Sequence, residues 1–369
     1  MQQKSVQKHI EKIKLYEESI KSEYTRKARL VYFKKYTDYL GPKFDLLLKK
    51  EDPKKIEQSI IDFIILLKKN KKYSAIHNYF FAITGFYKIN DIVLNVNKIS
   101  RFMPEKKKSN KDKAYKHEEI LQLLNVSDER MKVVILLLSS TGMRIGAIPG
   151  LRLRNLERVE IEDSTPIYKI TVYENDKEEH FTYCTIECAK AIDNYLAMRK
   201  RYGEKFFPNS YLIRDQFDIR DPFAISKCQK TLASTLASKL VGIAIRSGVR
   251  KKQTLDLEEI KKHLGSSYRK EVAICHGFRK FFTTELINKK INPEIREMLL
   301  GHTIGLAGVY YKPTDDDFLE EYERVIDNLT IDPTNRLQRT IETLKVDKSR
   351  IDMLEEKIQK LERRHGRIR

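Results

Sequence analysis

The sequence predicts a mainly helical α+β protein, with two helical bodies, a small antiparallel β-hairpin in the second, and a helical C-terminal extension. Three observations lead there. Up to about Asn97, apolar residues recur at spacings of three and four with charge between them. A period-two alternation runs from Ile167 to Thr185. Between Arg101 and Lys116 the chain has seven basic residues against two acidic ones and almost no apolar content, so it cannot form a core and reads as a linker. A length of 369 residues suits two domains of about 100 to 200 residues each. The expected partition is a helical domain over 1–100, the linker over 101–116, a second domain over 117–331 and a C-terminal helix over 332–369.

In the first body, helices are expected over 6–22, 24–40, 54–69 and 75–86, broken by Gly41, Pro42, Pro53 and the turn at 70–72. Arg26, Lys27, Arg29, Lys34 and Lys35 interleave with Tyr32, Tyr36 and Tyr39. Such a face can neutralise phosphates while the rings pack or lie against sugar. It can equally be a solvated lysine-rich helix whose tyrosines join the core.

In the second body, a helix opens at His117, and MKVVILLLSSTGMR forms a buried helix ending near Gly142. The hairpin turns at 174–178, and the helical period returns in IECAKAIDNYLAMRKRYG, with Gly203 as its stop. Further helices are expected over 226–247 and, more polar, over 257–264. After Tyr311, the run Asp315, Asp316, Asp317 favours a helix start by capping and by the macrodipole. Leu319, Tyr322, Ile326 and Leu329 then form an apolar stripe that can pack on its own body or on a neighbouring protomer. In the last segment Leu337, Leu344, Ile351 and Ile358 recur seven apart, and Leu354 and Leu361 complete a seam in its second half. That pattern fits a short, imperfect coiled coil or a surface helix docked in cis.

A formal net charge of +20 points away from small neutral substrates and towards a polyanion, nucleic acid first. Cys184, Cys188, Cys228 and Cys275 are too scattered for a disulfide framework or a zinc site, so buried or incidental thiols in a reducing compartment are expected. The apolar stretch IIDFIILL falls far short of the ~20 residues that cross a bilayer. A soluble, cytoplasmic, nucleoid-associated protein without a membrane partner is the expectation.

The chemistry gathers in HGFRKFFTTELINKKINPEIREMLLGHTIGLAGVYY, which places His276, Arg279, His302 and Tyr311 in one window. Two imidazoles, a guanidinium fork and a phenol supply proton transfer, donors for non-bridging phosphate oxygens, and a nucleophile that needs no metal. Upstream, TGMRIGAIPGLRLRNL puts Arg144 after the apolar run from Val133 to Leu138. In the order HxxR, LLGH and a tyrosine nine positions past the histidine, the C-terminal two-thirds of the chain resembles the tyrosine recombinases, the phage integrase and Xer family.

The resemblance implies an N-terminal core-binding (SAM-like) domain and a catalytic domain that clamp opposite faces of double-stranded DNA. It implies that Arg144 and Arg279 hold the scissile phosphate, that His276 assists proton transfer at Tyr311, and that His302 bonds the phosphate or helps orient the site. Tyr311 would form a 3′-phosphotyrosyl link with no metal, ATP or other cofactor. The family's catalytic lysine sits in the hairpin turn, which is Lys177 here, with Lys169 on the preceding strand as its rival. Tyr310 is one short of the family offset and is expected to pack. Ala147 stands where an acidic residue commonly follows the first arginine, so support for Arg144 has to come from elsewhere.

The implied activity is site-specific recombination, with self-association into a tetramer on paired DNA sites and a C-terminal helix able to pack in trans. A mobile-element integrase, similar to integrase-like proteins of archaea, is favoured over a Xer-type resolvase because about forty residues follow the post-tyrosine helix. The competing readings are a type IB topoisomerase and a catalytically decayed DNA-binding protein, for which Ala147 is the one mark in favour.

Overall fold

The computed structural model describes residues 2–106, 113–161, 165–250, 272–305 and 307–365. They divide into two compact units, 2–106 and 113–365, each with its own apolar core. Among these residues no helix is long and apolar enough to cross a membrane.

The first unit is built from α1 (Gln2–Glu18), α2 (Glu23–Leu40), α3 (Pro42–Lys50), α4 (Pro53–Lys68), α5 (Tyr73–Ile89) and α6 (Val96–Ser100). Ser22 and Asp52 cap α2 and α4 by accepting backbone N–H groups of the first turn, and Pro53 follows the second cap at a position where its missing N–H costs nothing. The sequence reading missed α3. Gly41 turns the chain at φ +52° and Pro42 starts a new helix, so the Gly-Pro pair separates two helices rather than a helix from a loop. Phe33, Tyr36, Phe44, Phe63, Phe86 and Tyr87 fill the core with tilted and edge-on ring contacts. Tyr36 is fully buried and bonds Ser59 at 2.7 Å, whereas Tyr39 lies half open over Phe63, and Lys27, Lys34 and Lys35 stay in solvent. The tyrosines of this helix therefore divide between core and surface.

The second unit begins with α7 (His117–Asn125) and α8 (Glu129–Thr141). The apolar run of α8 is buried on all sides, and Gly142 ends the helix in the left-handed region at φ +64°. A Cβ at Gly142 would lie 2.4 Å from the Phe282 ring, so a glycine here also permits close packing of α12 (His276–Asn288) on α8. Strands β1 (Leu156–Ile161), β2 (Thr165–Val172) and β3 (His180–Tyr183) form one antiparallel sheet in that order, with Leu156 opposite Ile170 and Lys169 opposite Tyr183. The expected hairpin is β2–β3. Strand β1 escaped notice because half of LERVEI is charged and it buries Ile161 alone.

Helix α9 (Ile186–Arg201) follows, then α10 (Pro222–Ser226) and α11 (Ala233–Arg246), which replace the single helix expected over 226–247. The polar helix expected over 257–264 and the linker residues 107–112 lie outside the described residues. Between α9 and α11 a buried Arg199–Glu204–Arg214 network holds the irregular chain. Its two guanidiniums also donate to the carbonyls of Tyr211, Leu212, Ala224 and Ile225, so nearly every donor has an acceptor.

Beyond α12 come α13 (Pro293–Leu299), the single turn α14 (Ala307–Tyr310), α15 (Asp315–Leu329) and α16 (Pro333–His365). Thr314 and Asp317 form the capping box that starts α15. Tyr322, Ile326 and Leu329 are buried within the same unit, and the Tyr322 hydroxyl donates to the Ser140 carbonyl at 2.8 Å. Of the two arrangements open to the post-tyrosine stripe, these residues take the one in cis, with Leu319 partly buried. Glu187 ties down the start of α16, accepting the N–H groups of Ile331 (2.6 Å) and Asp332 (3.1 Å). Further along α16, Leu337, Leu344, Ile351, Leu354 and Ile358 are each more than half exposed, so this helix is not docked in cis along its seam.

Candidate active site

Arg279 lies one turn into α12, buried, with its guanidinium donating to the carbonyls of Gly142 (2.8 Å) and Leu300 (2.7 Å) and to His302 Nε2 (2.6 Å). Burial first, and then the nearby Arg144, draw its pKa down to about 10. Arg144 follows the end of α8 by two residues and faces solvent, with Nη1 3.2 Å from Glu178 Oε2. That carboxylate comes from the hairpin turn and supplies the support missing at position 147, where Ala147 is buried in the core.

His302 is placed by Gly301, which turns at φ +67°. Its Nδ1 lies 2.6 Å from Glu297 Oε2. Because arginine can only donate, Nε2 accepts from Arg279 and Nδ1 donates to Glu297, which fixes the tautomer. Burial acts to raise the Glu297 pKa, but hydrogen bonds from His302 and Arg296 outweigh it and hold the carboxyl below its ordinary value.

Lys177 is exposed at the tip of the turn between β2 and β3, next to the Glu178 that binds Arg144. The turn is shaped by positive φ at Tyr173 (+57°) and Asn175 (+63°) and anchored by Glu174, which accepts from Arg154 (2.9 Å) and Asn155 (2.8 Å). Lys169 is engaged elsewhere. Its Nζ is 2.5 Å from Asp315 and 4.4 Å above the Phe181 ring, so it serves packing between β2 and α15.

His276 is the first residue of α12, exposed, and one turn ahead of Arg279. Tyr311 is half-buried, with its hydroxyl 3.4 Å from Asn292 Nδ2. Burial, followed by Asp317, Glu294 and Glu321, pushes the phenol pKa up. Among the described residues no hydrogen bond joins Tyr311 to Arg144, Arg279 or His302. Tyr310, expected to pack, is instead 85% exposed, because the chain leaves the single-turn α14 here and turns its next side chain, Tyr311, onto the core. Arg144, Arg279, His302 and the Lys177 turn are therefore brought together, while Tyr311 rests in a seat of its own.

Residues 113–316, more than half of the chain, match the model of the phage integrase family. The chain belongs to the phage integrase family. It is a tyrosine-type site-specific recombinase, an enzyme of DNA recombination and integration. No curated protein matches it. Among solved structures, this recombinase is similar to XerA recombinase, at 20% identity over 85% of this chain and 97% of that one with a TM-score of 0.37. It is also similar to the Tn1549 transposon integrase in complex with transposon right end DNA (16% identity, 85% and 98% covered, TM-score 0.49). A third is a lambda integrase dimer bound to a core site (12% identity, 77% and 98% covered, TM-score 0.42).

Sequence reasoning about the recombinase missed Glu178, Glu297 and Asn292, which hold Arg144, His302 and Tyr311. It also missed Tyr173, where burial pushes the phenol pKa above its ordinary value despite Arg144 and Arg279 beside it. Ala147 carried the single usable hint: a missing carboxylate implies a replacement, and the acidic hairpin turn was the place to look.

Proposed function

We propose that this recombinase cuts and rejoins DNA strands through a covalent link at Tyr311. Arg144 and Arg279 hold the non-bridging oxygens of the scissile phosphate, as guanidinium forks suit paired oxygens, and His302, once Nε2 takes up a proton in place of its bond from Arg279, donates a third bond as an imidazolium held by Glu297. The Tyr311 oxygen attacks phosphorus while His276 takes its proton. The bond to the 5′ oxygen breaks, and Lys177 gives that oxygen a proton. The product is a 3′-phosphotyrosine and a free 5′ hydroxyl, and attack by a partner strand's 5′ hydroxyl reverses the step with no nucleotide consumed. Double-stranded DNA is the substrate, and four protomers on paired sites exchange the strands.

The observation that carries this reading is that Arg279 donates to His302 and to the carbonyl of Gly142, two residues before Arg144, while Arg144 pairs with Glu178 beside Lys177. Sequencing the DNA covalently attached to purified protein identifies the cleavage site, and a nicked duplex of that site then traps the intermediate. Wild-type protein is expected to gain the mass of the attached strand, and Tyr311→Phe to gain none. An adduct on Tyr311→Phe overturns the assignment of the nucleophile.

A further inference from the structure

His180 opens β3 and has no part in the chemistry above. Its Nδ1 lies 2.9 Å from the carbonyl oxygen of Glu178. A carbonyl can only accept, so Nδ1 carries the hydrogen and Nε2 presents a lone pair. Nε2 is buried and has no hydrogen-bond partner among the described residues. The ring lies directly on Gly301, where a Cβ would sit 2.4 Å from both Cε1 and Nδ1. Gly301 itself links Leu300, whose carbonyl binds Arg279, to His302, whose Nε2 does the same. Burial, followed after the opposing Glu178 bond by Arg279 and Arg144, keeps the imidazole pKa below its ordinary value. A protonated ring would aim a second N–H into a buried place with no acceptor, beside two guanidiniums.

We propose that His180 is a positioning residue: its imidazole wedges the turn of Lys177 and Glu178 against the Leu300–His302 loop, and so sets Lys177 over the phosphate held by Arg144 and Arg279. The wedge explains two features together. Gly301 must lack a side chain because His180 occupies the space, and the turn that carries the exposed Lys177 touches the loop through this ring. This inference rests on the reading of Lys177 as the acid for the leaving oxygen.

The test uses DNA in which sulfur replaces the bridging 5′ oxygen at the mapped cleavage site. A thiol, with a pKa of about 8.5, leaves as thiolate and needs no proton. Full-length Lys177→Ala, His180→Ala and His180→Asn are compared with wild type on oxygen and sulfur substrates, after thermal melts have shown which of them fold. On oxygen, Lys177→Ala is expected to lose about 100-fold or more in cleavage rate, in the range for removing a general acid, and His180→Ala about tenfold or more. On sulfur both are expected within a few-fold of wild type. His180→Asn, whose amide can reproduce the bond to the Glu178 carbonyl, retains more activity on oxygen than His180→Ala and serves in its place if the alanine protein does not fold.

Equal loss on both substrates for the His180 variants would overturn the proposal, since that outcome means the ring supports the arginine and His302 instead. An undiminished rate on oxygen would overturn it as well. Rescue of His180→Ala by sulfur without rescue of Lys177→Ala would support the wedge and remove Lys177 as the acid, placing the proton on another group of the turn.

Discussion

Arg279 and Arg144 are held in opposite ways, and substitutions should separate them. Arg279 reaches two buried carbonyls and an imidazole from two separate nitrogens, a span that the single nitrogen of an ammonium does not cover. Each buried acceptor left unpaired costs about 1–3 kcal/mol, so Arg279→Lys is expected to lose about 2 kcal/mol or more in urea unfolding as well as most cleavage. Arg144 makes a solvent-exposed pair, so Arg144→Lys is expected to stay within about 1 kcal/mol of wild type in the same unfolding measurement while still losing cleavage. A different separation is available at Asn292, which caps α13 through Oδ1 and reaches Tyr311 through Nδ2. Asn292→Asp keeps the cap, so stability is expected to hold, but it sets a carboxylate where the Tyr311 hydroxyl can donate to it. Single-turnover cleavage should fall by about tenfold or more, the worth of a hydrogen bond to a charged group. His276, Arg279, His302 and Tyr311 stood out as candidates because their types and spacings form a local pattern, and Arg144 and Lys177 were added by the resemblance. Glu178, Glu297, Asn292 and His180 were not legible, since each acts through a contact between segments whose relation only the fold creates.

At the scale of elements, legibility followed periodicity and failed at punctuation. Helices α2, α4, α5, α8, α9 and α15 announce themselves by apolar spacing and caps, whereas α3 hid behind Gly41-Pro42 and β1 behind its charges. The segment from Gly203 to Leu232 has little periodicity because ions, not an apolar stripe, hold it. Removing Glu204 would leave two buried guanidiniums facing each other, and Glu204→Gln is expected to cost about 3–5 kcal/mol in denaturant unfolding.

Glu187, at the junction of α15 and α16, gives a pH signature. Burial raises its pKa above the ordinary 4.5 despite the N–H groups of Ile331 and Asp332. The folded state therefore holds the proton more tightly than the unfolded chain, and lowering pH through the raised pKa favours folding until the unfolded value is reached. Wild-type protein is expected to gain stability relative to Glu187→Gln across that window, measured by thermal melts in matched buffers. An unchanged difference would show that this carboxyl is not perturbed.

For the whole molecule, a net charge of +20 sets how the recombinase meets DNA before any sequence is read. Contacts to about 6–10 phosphates would cost about 10³- to 10⁵-fold in affinity between 50 and 200 mM salt, and fluorescence anisotropy on a random duplex should show a slope of that size. A shallow slope would mean that the lysines of α2 and the linker do not reach the backbone. The mainly helical fold class and the family were readable from the sequence; the resting place of Tyr311 was not, because it depends on Asn292 and on carboxylates from α13 and α15. That resting place has a thermodynamic consequence. On the proposed reading of Tyr311 as the nucleophile, a phenol kept among Glu294, Asp317 and Glu321 must leave that seat before it attacks, and the cost of leaving is subtracted from the affinity for a cleavable complex. Tight occupancy of a DNA site and readiness to break it are then separate quantities, and a site can be held long before it is cut.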